Sequence, residues 1–146
     1  PEFYMQRLFI FLSFFLIKTE AAQQSGPVVL MDFVKFKDGK KAEAVYFYEN
    51  NWKLYRDIAV KKNVIKSYEL MKVAPDSLNN FDLILITSYR DSLQLLESEE
   101  NFRPIVNEAR PNAPALLNHL KPAAFRQNVF FKVTQPIFSS QKKERK

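Results

Sequence analysis

The sequence predicts an α+β domain running strand, helix, strand, strand, helix, strand: an antiparallel four-stranded sheet with both helices on one face. Three observations predict it. Runs rich in β-branched and aromatic residues recur at four places. Between the first two lies a stretch, residues 41–62, with helical period and neither Gly nor Pro. Between the third and fourth, a second helical region opens on an N-cap signal.

The first strand is "PVVLMDFVKFK" (27–37), closed by the turn "KDGK", in which Gly39 is free to take positive φ. In the long helix that follows, Ala42, Val45, Trp52, Tyr55 and Ala59 fall near one face. Glu49 interrupts that face, Phe47, Leu54 and Ile58 flank it, and Asn63 ends the helix. "VIKSYELMKVA" (64–74) returns to strand, and "PDSLNN" is a loop by its turn chemistry. "FDLILITSYR" (81–90) is the strongest strand. Asp91 then caps "DSLQLLESEENF", and Pro104, Pro111 and Pro114 are expected to break this second helical region into pieces. "AAFRQNVFFKV" (123–133) is the last strand. This element order defines the ferredoxin-like βαββαβ sandwich.

A sheet with helices on one face only should alternate apolar with polar. These strands do not. Leu83 and Leu85 oppose Ile84 and Ile86, and Val29, Met31 and Phe33 oppose Val28, Leu30, Val34 and Phe36. Only the last strand divides more cleanly, with Phe125, Val129, Phe131 and Val133 against Arg126, Asn128 and Lys132. A sheet apolar on both faces needs a second cover, and the same face of another copy supplies one, so a sheet-to-sheet homodimer is expected.

Ahead of the domain, "MQRLFIFLSFFLIKTEAAQQ" has the parts of a secretory signal. Arg7 precedes an apolar run from 8 to 17, and small residues follow at Thr19, Ala21 and Ala22. The run is about half the roughly twenty residues a membrane-spanning helix needs. Residues 5–22 therefore read as a signal peptide cut after Ala21 or Ala22, and the expected location is secreted or periplasmic. Residues 1–4, "PEFY", read as a cloning remnant. Residues 27–133 are the domain and 134–146 a basic flexible tail, with no stable membrane insertion of the mature chain.

Composition excludes several functions. The chain has no cysteine, which removes thiol catalysis and thiolate metal sites. Its two glycines form no phosphate-cradling loop. The net charge is +6, of which the terminal "QKKERK" supplies +3, and no basic stripe carries interleaved aromatics, so nucleic acid is not an expected partner. "ESEENF" (97–102) lacks the ligand spacing of a calcium loop and reads as a solvated helix turn.

On element order and two-sided strands, with "FYENNWKLYRDIAVKKN" leading directly into "VIKSYEL", residues 27–133 resemble the dimeric α/β-barrel superfamily. That superfamily holds antibiotic-biosynthesis-type monooxygenases, heme-degrading enzymes and stress-responsive barrel proteins, so the fold alone does not settle function. The resemblance implies a cleft between sheet and helices in each subunit. Tyr48, Asn51, Trp52, Tyr55 and Arg56 from the first helix would line it, joined by Tyr89 and His119. Arg56 offers an anion anchor. His119 is the only histidine, and it would need a serine and a carboxylate to form a triad, with no nucleophile-elbow sequence present. Heme is the one cofactor for which His119 offers a ligand. The heme-degrading relatives place an Asn and a Trp over the porphyrin, whereas Asn51 and Trp52 are adjacent on the first helix here. No cofactor and no metal are expected. The leading reading is a binding module for a small apolar or aromatic ligand. A cofactor-independent monooxygenase or cyclase acting on an aromatic substrate, and an interaction subunit of an envelope complex, are the alternatives.

Overall fold

The computed structural model describes residues 26–137, apart from 77 and 79. The segments expected to be a cloning remnant and a signal peptide, and most of the expected basic tail, lie outside the described residues. The elements are β1 (Val28–Phe36), α1 (Lys41–Phe47), a π-helical turn (Tyr48–Trp52), α2 (Lys53–Lys61), β2 (Ser67–Lys72), β3 (Leu83–Tyr89), α3 (Ser92–Leu96), α4 (Ser98–Ala109), a 3-10 turn (Leu117–His119), α5 (Pro122–Phe125) and β4 (Arg126–Thr134). The sheet order is β2-β3-β1-β4, with every neighbouring pair antiparallel. This is the ferredoxin-like sandwich.

The π turn joins α1 to α2 and resets the helix's buried face. Ala44, Tyr48 and Trp52 are all buried, and at four-residue spacing a 3.6-residue period would advance each by about 40° along the stripe. The wider π turn absorbs the excess. The sequence placed Ala42 on this face. Ala42 is exposed, and Ala44 takes its place. Asn63 ends the helix as expected, with φ of 55°.

Three further expectations need correction. Pro104 lies inside α4 rather than breaking it. Pro104 and Glu100 are both exposed, so the Glu100 carbonyl that loses its partner faces water. Residues 123–125 form the end of α5 instead of opening the last strand, because Pro122 sits in the first turn after an extended Lys121. The predicted split of β4 also fails. The register between β1 and β4 shifts between Phe33 and Val34, pairing Phe33 with Phe130 and Val34 with Asn128. This bulge at Val129 reverses the alternation. Arg126, Asn128, Phe131 and Val133 therefore share the helix-facing side, and Phe130 and Lys132 the other.

Two core clusters fill the space between sheet and helices. Val34, Tyr48, Trp52, Leu83 and Leu85 form one. Ala59, Ile65, Tyr89 and Ile105 form the other, with Leu30, Tyr55 and Phe102 packed against it. Among the described residues no helix covers the opposite sheet face. It carries Val29, Met31, Phe33, Met71, Ile84, Ile86 and Phe130. Phe33 stacks on Phe130 at 4.3 Å between ring centroids and meets Phe81 edge-on at 4.8 Å. Met71 and Phe130 are each more than 40% exposed.

Candidate functional site

The cleft lies between the helix-facing side of the sheet and the π turn. The extra residue of that turn brings Tyr48 and Trp52 over the sheet, and α2 adds Tyr55 and Arg56 one turn on. β1 contributes Asp32, β3 contributes Leu85, and β4 contributes Arg126 and Asn128. With Phe47 these residues enclose a partly open cavity of about 220 Å³.

One wall is aromatic. Tyr48 meets Trp52 edge-on at 6.5 Å, and Trp52 meets Tyr68 at 5.3 Å. Asp32, Arg126 and Asn128 bring polar groups from the sheet, and Arg56 brings one from α2. The Arg56 guanidinium is sandwiched between Trp52 and Phe102, at 4.7 and 4.6 Å from the ring centroids. Arg126 lies over Phe47 at 5.3 Å and Tyr48 at 5.7 Å, and its Nη1 donates to Asn128 Oδ1 at 2.9 Å. Asp32 sits between the two arginines in charge but forms no direct ion pair with either. Burial raises its carboxyl above the usual range, and Arg56 and Arg126 oppose the rise. Burial pushes the Tyr48 phenol up to about 12, so it keeps its proton at neutral pH. Burial also lowers the Arg56 guanidinium from its ordinary value.

The Tyr48 hydroxyl, Arg56 Nε and Arg126 Nε are buried and have no hydrogen-bond partner in the protein. All three residues line this one cleft.

Of the residues expected from sequence, Tyr48, Trp52, Tyr55 and Arg56 are brought together here. Asn51, Tyr89 and His119 are not. Asn51 turns away from the sheet and is fully buried. Its Nδ2 donates to the carbonyls of Phe47 (3.1 Å) and Ala115 (2.8 Å), and its Oδ1 accepts from the Ala115 N–H (2.7 Å) and Arg110 Nε (3.4 Å). That saturates the amide and ties the helix to the segment after α4. Tyr89 is buried in the second core cluster, its hydroxyl against Ser98 and near Arg56. His119 is exposed on the 3-10 turn, at φ of 55°. Among the described residues no group of three or more His, Asp and Glu side chains stands close enough to hold a metal ion. No described helix is long and apolar enough to cross a membrane.

Sequence reasoning missed Asp32, Arg126, Asn128, Phe47 and Leu85 as lining residues. Asp32 did carry a signal: it is the only charge among the residues of β1 that share a face with Val28, Leu30, Val34 and Phe36. Arg126 and Asn128 carried none, because the bulge that turns them into the cleft has no mark in the sequence.

No protein-family model matches this sequence, and no curated protein matches it. Its fold is similar to three solved proteins of unknown function. One from Bacteroides thetaiotaomicron, described as a possible oxidoreductase, is 11% identical, with a TM-score of 0.42 over 75% of this chain and 95% of that one. A dimeric protein with a ferredoxin-like fold from Bacteroides fragilis is 12% identical, with a TM-score of 0.42 over 72% and 98%. A third, from Rhodopseudomonas palustris, is 14% identical, with a TM-score of 0.44 over 82% and 88%.

Proposed function

We propose that this chain is an exported, homodimeric binding domain whose cleft holds a small aromatic ligand. The observation that carries the ligand is that the helix aromatics surround a cavity of about 220 Å³ instead of filling it. A cavity of roughly 150 Å³ lined by apolar groups is enough to bind benzene. Trp52, Phe47 and Leu85 provide flat and aliphatic walls for a ring, and the polar groups on the sheet side orient it. The apolar outer face of the sheet supports pairing with a second copy, which leaves one cleft open in each protomer. The leader at residues 5–22 supports export.

Trp52 is the only tryptophan, so its fluorescence reports on the cleft alone. Titration with neutral one-ring aromatics such as phenol and benzamide, alongside charged analogues, is expected to give a saturable change. Linear quenching with every probe would reject the ligand reading.

A further inference from the structure

We infer that the cleft takes a one-ring aromatic carboxylate, its anionic group seated among Arg56, Arg126 and the Tyr48 hydroxyl and its ring against Trp52 and Phe47. This rests on the reading that the cleft binds an aromatic ligand, and it names the chemical class of that ligand.

The first argument is hydrogen-bonding capacity. Buried polar side-chain atoms normally have partners. The buried side-chain atoms lacking one among the described residues are Tyr48 Oη, Arg56 Nε and Arg126 Nε, all from cleft residues. An arginine Nε can only donate, while a protonated phenol can donate or accept; even with Arg126 turned to the Tyr48 oxygen, the phenol proton and the Arg56 Nε–H remain to be answered. The residues carrying these atoms line one cleft and bring it a surplus of donors, which calls for a ligand with several acceptor lone pairs, as a carboxylate has.

The second argument is charge. Two guanidinium groups face one carboxylate, Asp32, leaving one positive charge in excess. Asp32 does not neutralise either arginine by direct pairing. A monoanion balances the cleft. A cation would meet two arginines, and a dianion would meet Asp32 with its second charge. The planar carboxylate also matches the guanidinium fork.

The third argument is size. About 220 Å³ exceeds the space that holds a benzene and falls below the roughly 300–1,000 Å³ of pockets for drug-sized molecules. A single ring with a short acidic substituent fits that interval.

The test is Trp52 fluorescence on the full chain at neutral pH, titrated with benzoate, benzamide, benzylamine and phenyl phosphate. Benzoate is expected to bind about tenfold or more tightly than benzamide. Phenyl phosphate is expected to bind no better than benzoate, and benzylamine most weakly. Arg126→Gln should weaken benzoate far more than benzamide and so remove most of the preference for benzoate. Asp32→Asn should tighten benzoate, because it deletes the one negative charge in the cleft. Circular dichroism checks that each variant is folded. If Arg126→Gln does not fold, Arg126→Lys, which keeps the charge but not the fork, is expected to show an intermediate preference. Equal affinity for benzoate and benzamide would overturn the carboxylate and leave the aromatic reading standing. So would tighter binding of phenyl phosphate or benzylamine, or weaker benzoate binding in Asp32→Asn. No saturable change with any probe would overturn both.

Discussion

At Asp32 a carboxylate occupies a strand position whose neighbours on the same face are Leu30 and Val34. Its raised pKa means that the folded state binds the proton more tightly than the unfolded state does. Folding is therefore penalised while Asp32 is ionised, and the penalty is relieved as pH falls through the folded pKa towards the unfolded value. Asp32→Asn should raise stability at pH 7, with the gain shrinking as pH falls through the raised folded pKa and gone below about pH 4. Urea denaturation at the two pH values measures it. Asn51 works in the opposite sense. Replacing it with alanine strands both the N–H and the carbonyl of Ala115 and should cost about 2–3 kcal/mol, read from the urea midpoint. At this scale the sequence showed which residue types were unusual but not which way they turned. Asn51 and Trp52 are adjacent, and the angle between neighbouring helical positions sends Trp52 to the cleft while Asn51 ties the helix to the segment after α4.

Among the elements, β1, β2, β3, the long helix and the N-cap at Asp91 follow from period and capping chemistry that act locally. The Asp91 carboxylate accepts from the Gln94 N–H at 2.8 Å. The Gln94 side chain accepts from the Arg90 N–H at 2.7 Å and donates to the Asn63 carbonyl at 2.8 Å. The cap thus also pins the end of α2 to the start of α3. The backbone bond to Gln94 holds the Asp91 carboxyl below its ordinary range. Its contribution is present above the unfolded pKa and is lost as pH falls through the folded one. Asp91→Ala should cost about 1–2 kcal/mol at pH 7 and progressively less in acid, by the same denaturation experiment. What was not visible at this scale are the two departures from regularity, the π turn and the bulge at Val129. Each adds one residue to a periodic element, and neither needs a Gly or a Pro to do so. They are also the two features that shape the cleft, since one places Tyr48 and Trp52 and the other turns Arg126 and Asn128 inward.

In the whole molecule, the two-sided strands pointed to a sheet with two occupied faces, and the register of β1 with β3 separates them. Leu85 is 5% exposed among the helix-facing core, whereas Ile84 lies on the open face. Leu85→Asp should unfold the chain, because an unpaired charge in the core costs several kcal/mol. Ile84→Asp should leave a folded monomer. Light scattering with circular dichroism distinguishes them, and a folded dimer in both variants would remove the argument for sheet-to-sheet pairing. The cleft and the open sheet face lie on opposite sides of the same four strands, so pairing and ligand binding are expected together. Native mass spectrometry of the chain from Ala22 onward with excess benzoate tests both at once. The prediction is a dimer carrying two benzoates, one per cleft; a monomer, or a dimer with no benzoate retained, would contradict it.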